Sequence, residues 1–177
     1  GTFDQVIVDA LIEVRGADLA FSPGFRWGTS VLPGDPITVE RLMDQTGITY
    51  AKSTLTEMSG ETIKLVLEDI ADNLFNVDPY YQMGGDMVRV GGLRYAINPS
   101  AAIGSRLSDL ELAGKPLEPT RTYKVAGWAS VNPQPDDLPE IWDVVAEYLR
   151  DRKVIRNVVA NVPKVKGITG NPGYLAL

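Results

Sequence analysis

The sequence predicts a single α+β domain in which helices pack against a mixed sheet. Three amphipathic helix patterns and several short strand-like runs follow one another without the regular alternation of βαβ units. A chain of 177 residues is the size of one domain and is long enough to bury a core. Hydrophobic residues make up 44% and charged residues 23% of the chain, which is typical of globular proteins and excludes the disordered and fibrous classes.

The first helix is marked by signals at both ends. Thr2 and Gln5 have the spacing of a capping box, in which each side chain bonds the backbone N–H of the other residue, and Gly16 suits the stop. Apolar residues recur between these signals at the helical period: Phe3, Val6, Ile7, Ala10, Leu11 and Val14. A short strand over 17–21 is predicted next, and it ends in the Ser-Pro-Gly of residues 22–24.

A short helix and a second long helix are predicted in the middle of the chain. The short helix spans 39–45, with Thr38 as its candidate cap. Residues 50–58 alternate as a half-buried strand would, and Ser59 then caps the long helix. The buried stripe of that helix is predicted to comprise Ile63, Val66, Leu67, Ile70 and Leu74.

The second half of the chain adds a strand, a hairpin and a third strong helix. The strand, over 87–97, is interrupted by Gly91-Gly92, where a bulge or a close backbone approach is expected. A hairpin is predicted over 106–125, with its turn near 113–116. Pro139 suits the first turn of the helix. The predicted inner face of this helix comprises Ile141, Val144, Val145 and Tyr148.

The domain is expected to span 1–156, and residues 157–177 are expected to form an irregular tail on its surface. No signal peptide is recognisable, and the chain opens directly into helix-like sequence. We therefore expect the sequence to be a piece of a longer protein.

Composition limits the partners and the chemistry. The net charge of −6 argues against nucleic acid as the main partner, because phosphate binding needs a basic face. No run approaches the roughly 18 apolar residues that span a bilayer, so no membrane partner is expected. The chain has no Cys and no His, which excludes thiol catalysis, Ser-His-Asp triads and the commonest transition-metal ligands. It also lacks a dense carboxylate motif, so we expect no catalytic and no metal-binding residue in this chain.

The loop after the first strand is the most informative candidate site. Gly24 and Gly28 would let backbone N–H groups approach an anion closely. Arg26 supplies a rigid fork of donors suited to phosphate, sulfonate or carboxylate. Phe25 and Trp27 would flank a planar or soft group. One interpretation of this loop is therefore an anion-binding function.

A structural account of the same loop stays open. In that account Arg26 pairs with Asp18 or Asp35 and the two flanking aromatic rings pack in the core. The residue types alone do not decide between the two interpretations.

Three further candidates are weaker. Tyr80 and Tyr81, beside a Gly pair, would make a rigid amphipathic platform, although the residues alone favour a plain turn with interface tyrosines. Trp128 is either a pocket wall or a core residue. The acidic group of Asp136, Asp137 and Glu140 is interpreted as a solvated loop and helix start, where acids suit the helix dipole.

The order of these features resembles the C-terminal domain of the 5′-nucleotidase family over about residues 2–150. Four segments carry the resemblance: the capped helix and strand of 2–20, the strand-to-helix unit of 54–64, the Val-Arg-Val-Gly-Gly-Leu-Arg-Tyr of 88–95, and the Gly-Lys-Pro-Leu and Thr-Tyr-Lys-Val-Ala of 114–126. Where the family has Asn-Gly-Gly-Gly-Ile/Val-Arg, this chain has Ser-Pro-Gly-Phe-Arg at 22–26, so Arg26 matches the family arginine.

Two departures distinguish the chain from ordinary nucleotidases. The family's Gly-Gly-Asp-Gly-Tyr segment is replaced by Gly-Trp-Ala-Ser at 127–130, and its three loop glycines by Pro-Gly-Phe-Arg-Trp-Gly at 23–28. Together with the Tyr-Tyr-Gln-Met-Gly-Gly-Asp of 80–86, these replacements resemble the thiosulfohydrolases of bacterial sulfur oxidation, a branch of the family.

This resemblance implies a periplasmic enzyme whose two manganese ions lie in an N-terminal metallophosphoesterase-like domain. Such an enzyme hydrolyses an S-sulfonate bound to a cysteine of a carrier protein and releases sulfate. Arg26, which matches the family arginine, is predicted to bind the sulfonate. The other predicted substrate-binding residues are Gly24, Phe25, Trp27, Tyr80, Tyr81 and Trp128. Two alternatives stay open: the substrate domain of a true 5′-nucleotidase or cyclic phosphodiesterase, and a non-catalytic module that docks a protein partner.

Overall fold

The computed structural model describes residues 1–24 and 29–169 of the chain. The helices are α1 (Thr2–Arg15), α2 (Val39–Thr46), α3 (Gly60–Phe75) and α4 (Ile141–Arg152), with a 3-10 turn at Pro79–Tyr81. The strands are β1 (Leu19–Ser22), β2 (Ser53–Ser59), β3 (Arg89–Gly91), β4 (Leu93–Ile97), β5 (Leu107–Leu112), β6 (Lys115–Pro116), β7 (Thr122–Trp128) and β8 (Lys164–Val165). Among the helices described, none has the length and apolarity that crossing a membrane requires.

The strands form two mixed sheets, which confirms the predicted α+β class. The first sheet has the order β2-β7-β1-β3, in which β7 and β1 are parallel and the outer pairs are antiparallel. The second has the order β6-β5-β4-β8, in which only the β4–β8 pair is parallel.

The first sheet separates two hydrophobic cores, because successive side chains on a strand point to opposite faces. On β7, Tyr123 and Val125 belong to the core beneath α3 and the second sheet. Ala126 and Trp128 belong to the core formed with α1, α2 and α4. The central strands are therefore covered on both sides, and their ends become the natural place for a cleft.

The helix stripes follow the predicted periodicity. The four residues predicted for the inner face of α4 are all buried, and Ile63 and Leu67 are the fully buried members of the predicted stripe of α3. On α1, Val8 is buried as well, although it lies outside the predicted stripe. The reason is that α1 also packs against β3, where a Cβ on Gly91 would lie only 2.7 Å from the Cβ of Val8.

The Gly91-Gly92 pair divides the predicted strand of 87–97 between the two sheets. Gly92 has a φ of 80°, and a Cβ there would lie 2.9 Å from the carbonyl oxygen of Asp18. The expected close backbone approach is thus confirmed. The chain leaves the first sheet at Gly91 and enters the second at Leu93.

Both helix-start predictions at Thr2 and Pro139 were off by a residue or two. The cap of α1 is Gly1, and the Gln5 side chain donates instead to Asp9 Oδ1 at 2.7 Å. The cap of α4 is Glu140, so Pro139 lies outside the helix. The Pro139 carbonyl accepts a hydrogen bond from the backbone N–H of Ser53, and this bond holds the chain in an extended form there. The caps of α2 and α3, Thr38 and Ser59, are confirmed.

The predicted hairpin of 106–125 is correct only in its first part. The strands β5 and β6 turn at Ala113 and Gly114, whose φ values of 50° and 75° suit a tight hairpin turn. Residues 122–125 do not return along β5 but belong to β7 in the first sheet. Tyr123 and Val125 are buried in the core beneath α3 and the second sheet, and this burial outweighs local hairpin pairing.

Part of the segment after residue 156 is tied to the domain. Lys164–Val165 form β8 beside β4, within the stretch expected to be irregular. Asn161 donates its backbone N–H to Gln5 Oε1 at 2.8 Å, and its Nδ2 to the carbonyls of Val90 and Leu93 at 2.7 Å each. This one side chain thus bridges the two sheets at the point where the chain passes between them.

Candidate functional site

A cleft of about 740 Å³ opens at the carboxyl ends of the parallel strands β1 and β7. Its lining is mostly apolar and comprises Phe21, Ser22, Pro23, Gly24, Ile70, Gly85, Asp86, Val88, Gly127 and Trp128. Two parallel neighbours end at the same edge of a sheet, so the segments that follow them diverge and leave a crevice, which is where open sheets commonly bind ligands.

Trp128 is both a core residue and a wall of this cleft. Its side chain is only 6% exposed, and its indole Nε1 donates to Ser22 Oγ at 2.9 Å. Trp128 therefore occupies both of the positions considered for it in the sequence, the core and the wall of a pocket. The bond joins the last residues of β1 and β7 and fixes the floor of the cleft.

Gly24 lies directly against Asp86 at the mouth of the cleft. A Cβ at position 24 would lie 2.7 Å from the Cβ of Asp86 and 2.9 Å from its Oδ2. Any side chain larger than hydrogen would therefore displace Asp86. The expected approach of the Gly24 backbone N–H to an anionic ligand stays a prediction.

Asp86 is held in turn by Arg89. Arg89 Nη2 donates to Asp86 Oδ2 at 2.7 Å, and Arg89 Nη1 donates to the Met87 carbonyl at 3.0 Å. On its other side, Arg89 Nε lies 3.5 Å from Asp4 Oδ2 in the first turn of α1. Asp86 and Arg89 lie in segments that carry the family resemblance, but no sequence signal paired them with each other or with Asp4.

Tyr80 and Tyr81 lie in the same connection as Asp86 but do not line the cleft. They form the 3-10 turn capped by Asp78, whose Oδ1 accepts from the Tyr80 N–H at 2.9 Å. The rings meet edge to face, with centroids 5.5 Å apart. With 85% and 59% of their surface exposed, the two tyrosines present a platform to solvent.

Three of the predicted site residues, Phe25, Arg26 and Trp27, lie outside the described residues. The structure does describe the two carboxylates considered as structural partners of Arg26. Asp35 pairs with Arg41 at 2.9 Å, and Asp18 Oδ2 accepts from the backbone N–H of Lys124 at 2.8 Å.

No metal centre is visible in the part of the chain that the structure describes, since no three acidic side chains come together there. Asp136, Asp137 and Glu140 lie in a loop and at a helix start. Glu140 occupies the N-cap position of α4 without a capping bond from its side chain, and Lys52 Nζ donates to the carbonyls of Asp136 and Leu138.

A polar cluster behind α3 was missed in the sequence. Glu68 is buried and accepts the backbone N–H groups of Gly104, Arg106 and Leu107. Arg106 is also buried and bonds Asp72 Oδ1 at 2.6 Å. Hydrogen bonds from Asn76 and Arg106 lower the pKa of Asp72. The one available signal was that Glu68 sits beside Leu67 on the apolar side of the helix.

Comparisons with known proteins place these features in context. Residues 1–134 match the family model described as 5′-nucleotidase, C-terminal domain. The chain is similar to the sulfate thiohydrolase SoxB of Thermus thermophilus, solved in complex with glycerol, with 41% identity and a TM-score of 0.84. That match covers 94% of this chain and 32% of the SoxB chain. A comparison with curated protein sequences gives no significant match.

Two nucleotidases share the fold at lower identity. A 5′-nucleotidase precursor, also from Thermus thermophilus, is 20% identical with a TM-score of 0.70, and the match covers 93% of this chain and 35% of the precursor. The NAD nucleotidase NadN of Haemophilus influenzae is 17% identical with a TM-score of 0.72, over 93% of this chain and 33% of its own. This chain thus spans about a third of the length of each of these structures.

Proposed function

Because the chain belongs to the 5′-nucleotidase C-terminal domain family, we propose that it is the substrate-binding domain of a two-domain, metal-dependent hydrolase of the SoxB type. The observation that carries the proposal is the 41% identity to SoxB along nearly the whole chain, against 17–20% for the two nucleotidases. The three structures share the fold, so identity rather than architecture separates the two activities.

The proposed substrate is an S-sulfonate on a cysteine of the SoxYZ carrier protein, with sulfate as the product. Two sequence differences from nucleotidases support this choice: the Pro-Gly-Phe-Arg-Trp-Gly of 23–28 and the Gly-Trp-Ala-Ser of 127–130. The described ends of both segments, Gly24 and Trp128, line one cleft. The described parts of the two altered segments therefore lie at the same edge of the sheet, where a single ligand could contact both.

We assign the metal ions to a preceding metallophosphoesterase-like domain, which we propose contains two manganese ions. The residues of this chain do not suit such a centre, because the sequence has no His or Cys and no three carboxylates converge among the described residues. When bound there, the metals would supply the nucleophilic water. We also propose a periplasmic location, with which the absence of Cys is compatible.

We propose that this chain forms one wall of the substrate cleft, provides a cation that binds the sulfonate, and leaves room for the carrier arm to enter. The mostly apolar lining of the cleft lowers the local dielectric, which strengthens charge interactions inside it. Arg26 is the proposed cation, because its charge is permanent and its planar fork matches a sulfonate. The Tyr80–Tyr81 platform is proposed to meet the carrier protein, since it is exposed and lies in the connection that leads to Asp86.

The proposal is tested by assaying the full-length protein with two kinds of substrate. Release of sulfate from an S-sulfonated peptide with the sequence of the SoxYZ arm is expected, with little release of phosphate from nucleoside monophosphates or cyclic nucleotides. The reverse pattern would identify a nucleotidase or phosphodiesterase. Binding of the peptide without turnover of either substrate would instead favour a docking module.

A further inference from the structure

Asp86 presents an electrostatic problem for the proposed function. It lines the cleft, and its carboxylate lies against Gly24, at the start of the loop that contains Arg26. A sulfonate or phosphate that enters this cleft would meet a negative charge on its wall. An uncompensated like charge weakens binding by an amount that depends on distance, local dielectric and salt.

Arg89 is placed to cancel this charge. Its Nη2 bonds the Asp86 Oδ2 at 2.7 Å, and its backbone pairs with Ser22 across β1 and β3. The guanidinium is held from two further directions, by the Met87 carbonyl and by Asp4 in the first turn of α1. Its side chain is 34% exposed, and Arg89 is not itself one of the residues that line the cleft.

We propose that Arg89 is a positioning residue for anionic substrates: it neutralises Asp86 and fixes that side chain against Gly24. This inference rests on the proposed function only in that the ligand of the cleft is an anion. Arg89 acts through Asp86 and need not touch the substrate. Its effect is on substrate binding, which is expressed in KM, and not on the chemical step.

A double-mutant cycle on the full-length enzyme tests the inference. Arg89→Ala leaves Asp86 uncompensated and is expected to raise the KM for the S-sulfonated peptide about three- to tenfold at low ionic strength, with kcat almost unchanged. Asp86→Asn removes the negative charge from the cleft wall and leaves Arg89 paired only with Asp4, so it is expected to lower KM below the wild-type value. The double variant, Arg89→Ala with Asp86→Asn, is expected to return KM close to wild type.

A purely structural role for the pair predicts a different pattern. Both single variants would then raise KM or lower kcat, and the double variant would be no better than either. That pattern, or an unchanged KM in Arg89→Ala, overturns the inference. High salt supplies a second check, because about 1 M salt screens charges beyond roughly 3 Å and should remove the KM difference between Arg89→Ala and wild type.

A matched control is available at the opposite end of β7. Arg121 and Glu118 form the same i,i+3 type of pair at 3.5 Å, just before the strand that ends in the cleft at Trp128. Arg121→Ala changes the net charge equally but is expected to leave KM unchanged. A rise in KM as large as that of Arg89→Ala would show a general charge effect and overturn the inference.

The proposed function and this inference fail in distinguishable ways. If the enzyme hydrolyses a nucleoside monophosphate in place of the S-sulfonated peptide, the proposed function fails. The double-mutant cycle is then run with the nucleotide as substrate, because its phosphate is also an anion. The same directions of change in KM are expected for the three variants, and they decide the inference. An enzyme that turns over neither anion overturns both.

Discussion

Glu68 illustrates how a single buried carboxylate can organise a long connection. It is 2% exposed, and its two oxygens accept backbone N–H groups from the segment between β4 and β5 at 2.7–3.2 Å. A buried charge is tolerated here because three donors satisfy it. The carboxylate thereby holds the end of this connection against α3.

We expect Glu68→Gln to lower the free energy of unfolding by about 1–3 kcal/mol, because an amide keeps one acceptor oxygen but loses the second and the charge. Urea unfolding monitored by circular dichroism measures the change. Asp69→Asn, on the exposed side of the same helix, is the control and should have almost no effect. Equal stability of the two variants would contradict the anchoring role of Glu68.

Arg26 is the residue on which the proposed chemistry depends most. In the full-length enzyme, Arg26→Ala is expected to reduce sulfate release by about 100-fold or more, the usual cost of removing a charge-stabilising group. The melting temperature should stay close to that of the wild type. Arg150→Ala, on the exposed face of α4, serves as the control. Unchanged sulfate release from the Arg26 variant would refute the role of this arginine.

At the scale of elements, the decisive feature is the passage of the chain from one sheet to the other at Gly92. Its positive φ disfavours any L side chain, and the Asp18 carbonyl leaves no room for a Cβ. Asn161 then binds the carbonyls on either side of the passage, from Val90 and Leu93. The two sheets are thus joined by a backbone geometry that only glycine allows.

Gly92→Ala is expected to destabilise the domain by more than Gly34→Ala. Both glycines have positive φ, which costs an L residue roughly 1–2 kcal/mol, but only Gly92 has a backbone oxygen within 3 Å of the new Cβ. The difference in urea midpoint between the two variants therefore measures the cost of the steric contact at Gly92. Similar midpoints would show that the close approach at Gly92 has no energetic consequence.

For the whole molecule, the carboxylates predict how stability changes in acid. The hydrogen bond from Lys166 lowers the pKa of Asp109, and those from Asn76 and Arg106 lower the pKa of Asp72. A lowered native pKa stabilises the fold above the unfolded-state pKa, and this stabilisation is lost as the pH falls through the native pKa. Burial raises the pKa of Asp9, which acts with the opposite sign.

We therefore expect Asp72→Asn to reduce the loss of stability between about pH 5 and about pH 2, and Asp9→Asn to increase it. The measurement is the free energy of unfolding in urea at several pH values in this range. If both variants lose the same free energy of unfolding as the wild type when the pH falls, the two carboxylates do not contribute to the loss of stability in acid.

The whole-molecule view also predicts what this chain cannot do alone. The proposed hydrolase needs metal ions, and the residues of this chain do not suit a metal centre. The isolated chain should therefore show no hydrolysis of the S-sulfonated peptide with added Mn²⁺. The full-length protein assayed at the same concentration is the positive control. Metal-dependent turnover by the chain alone would refute the two-domain proposal.

Much of the fold was predictable because local patterns matched the final structure. The stripe of α4 and the caps Thr38 and Ser59 follow from periodicity and from side chains that bond neighbouring backbone groups. Gly24 and Trp128, two of the predicted substrate-binding residues, line the cleft, and their role in binding stays a prediction. The pairing of Asp86 with Arg89 was not predictable, because Asp86 lies against Gly24 and Arg89 against Asp4, residues that are distant in the sequence.

The sequence by itself determined the class of the domain, its helices and the absence of His and Cys, because these depend on composition and on spacing within a few residues. Only the tertiary structure decided that β7 joins the first sheet rather than the hairpin, and that the strand of 87–97 serves both sheets. Those outcomes depend on which distant residues fill each core. The same distant packing brings Gly24, Asp86 and Trp128 to one cleft.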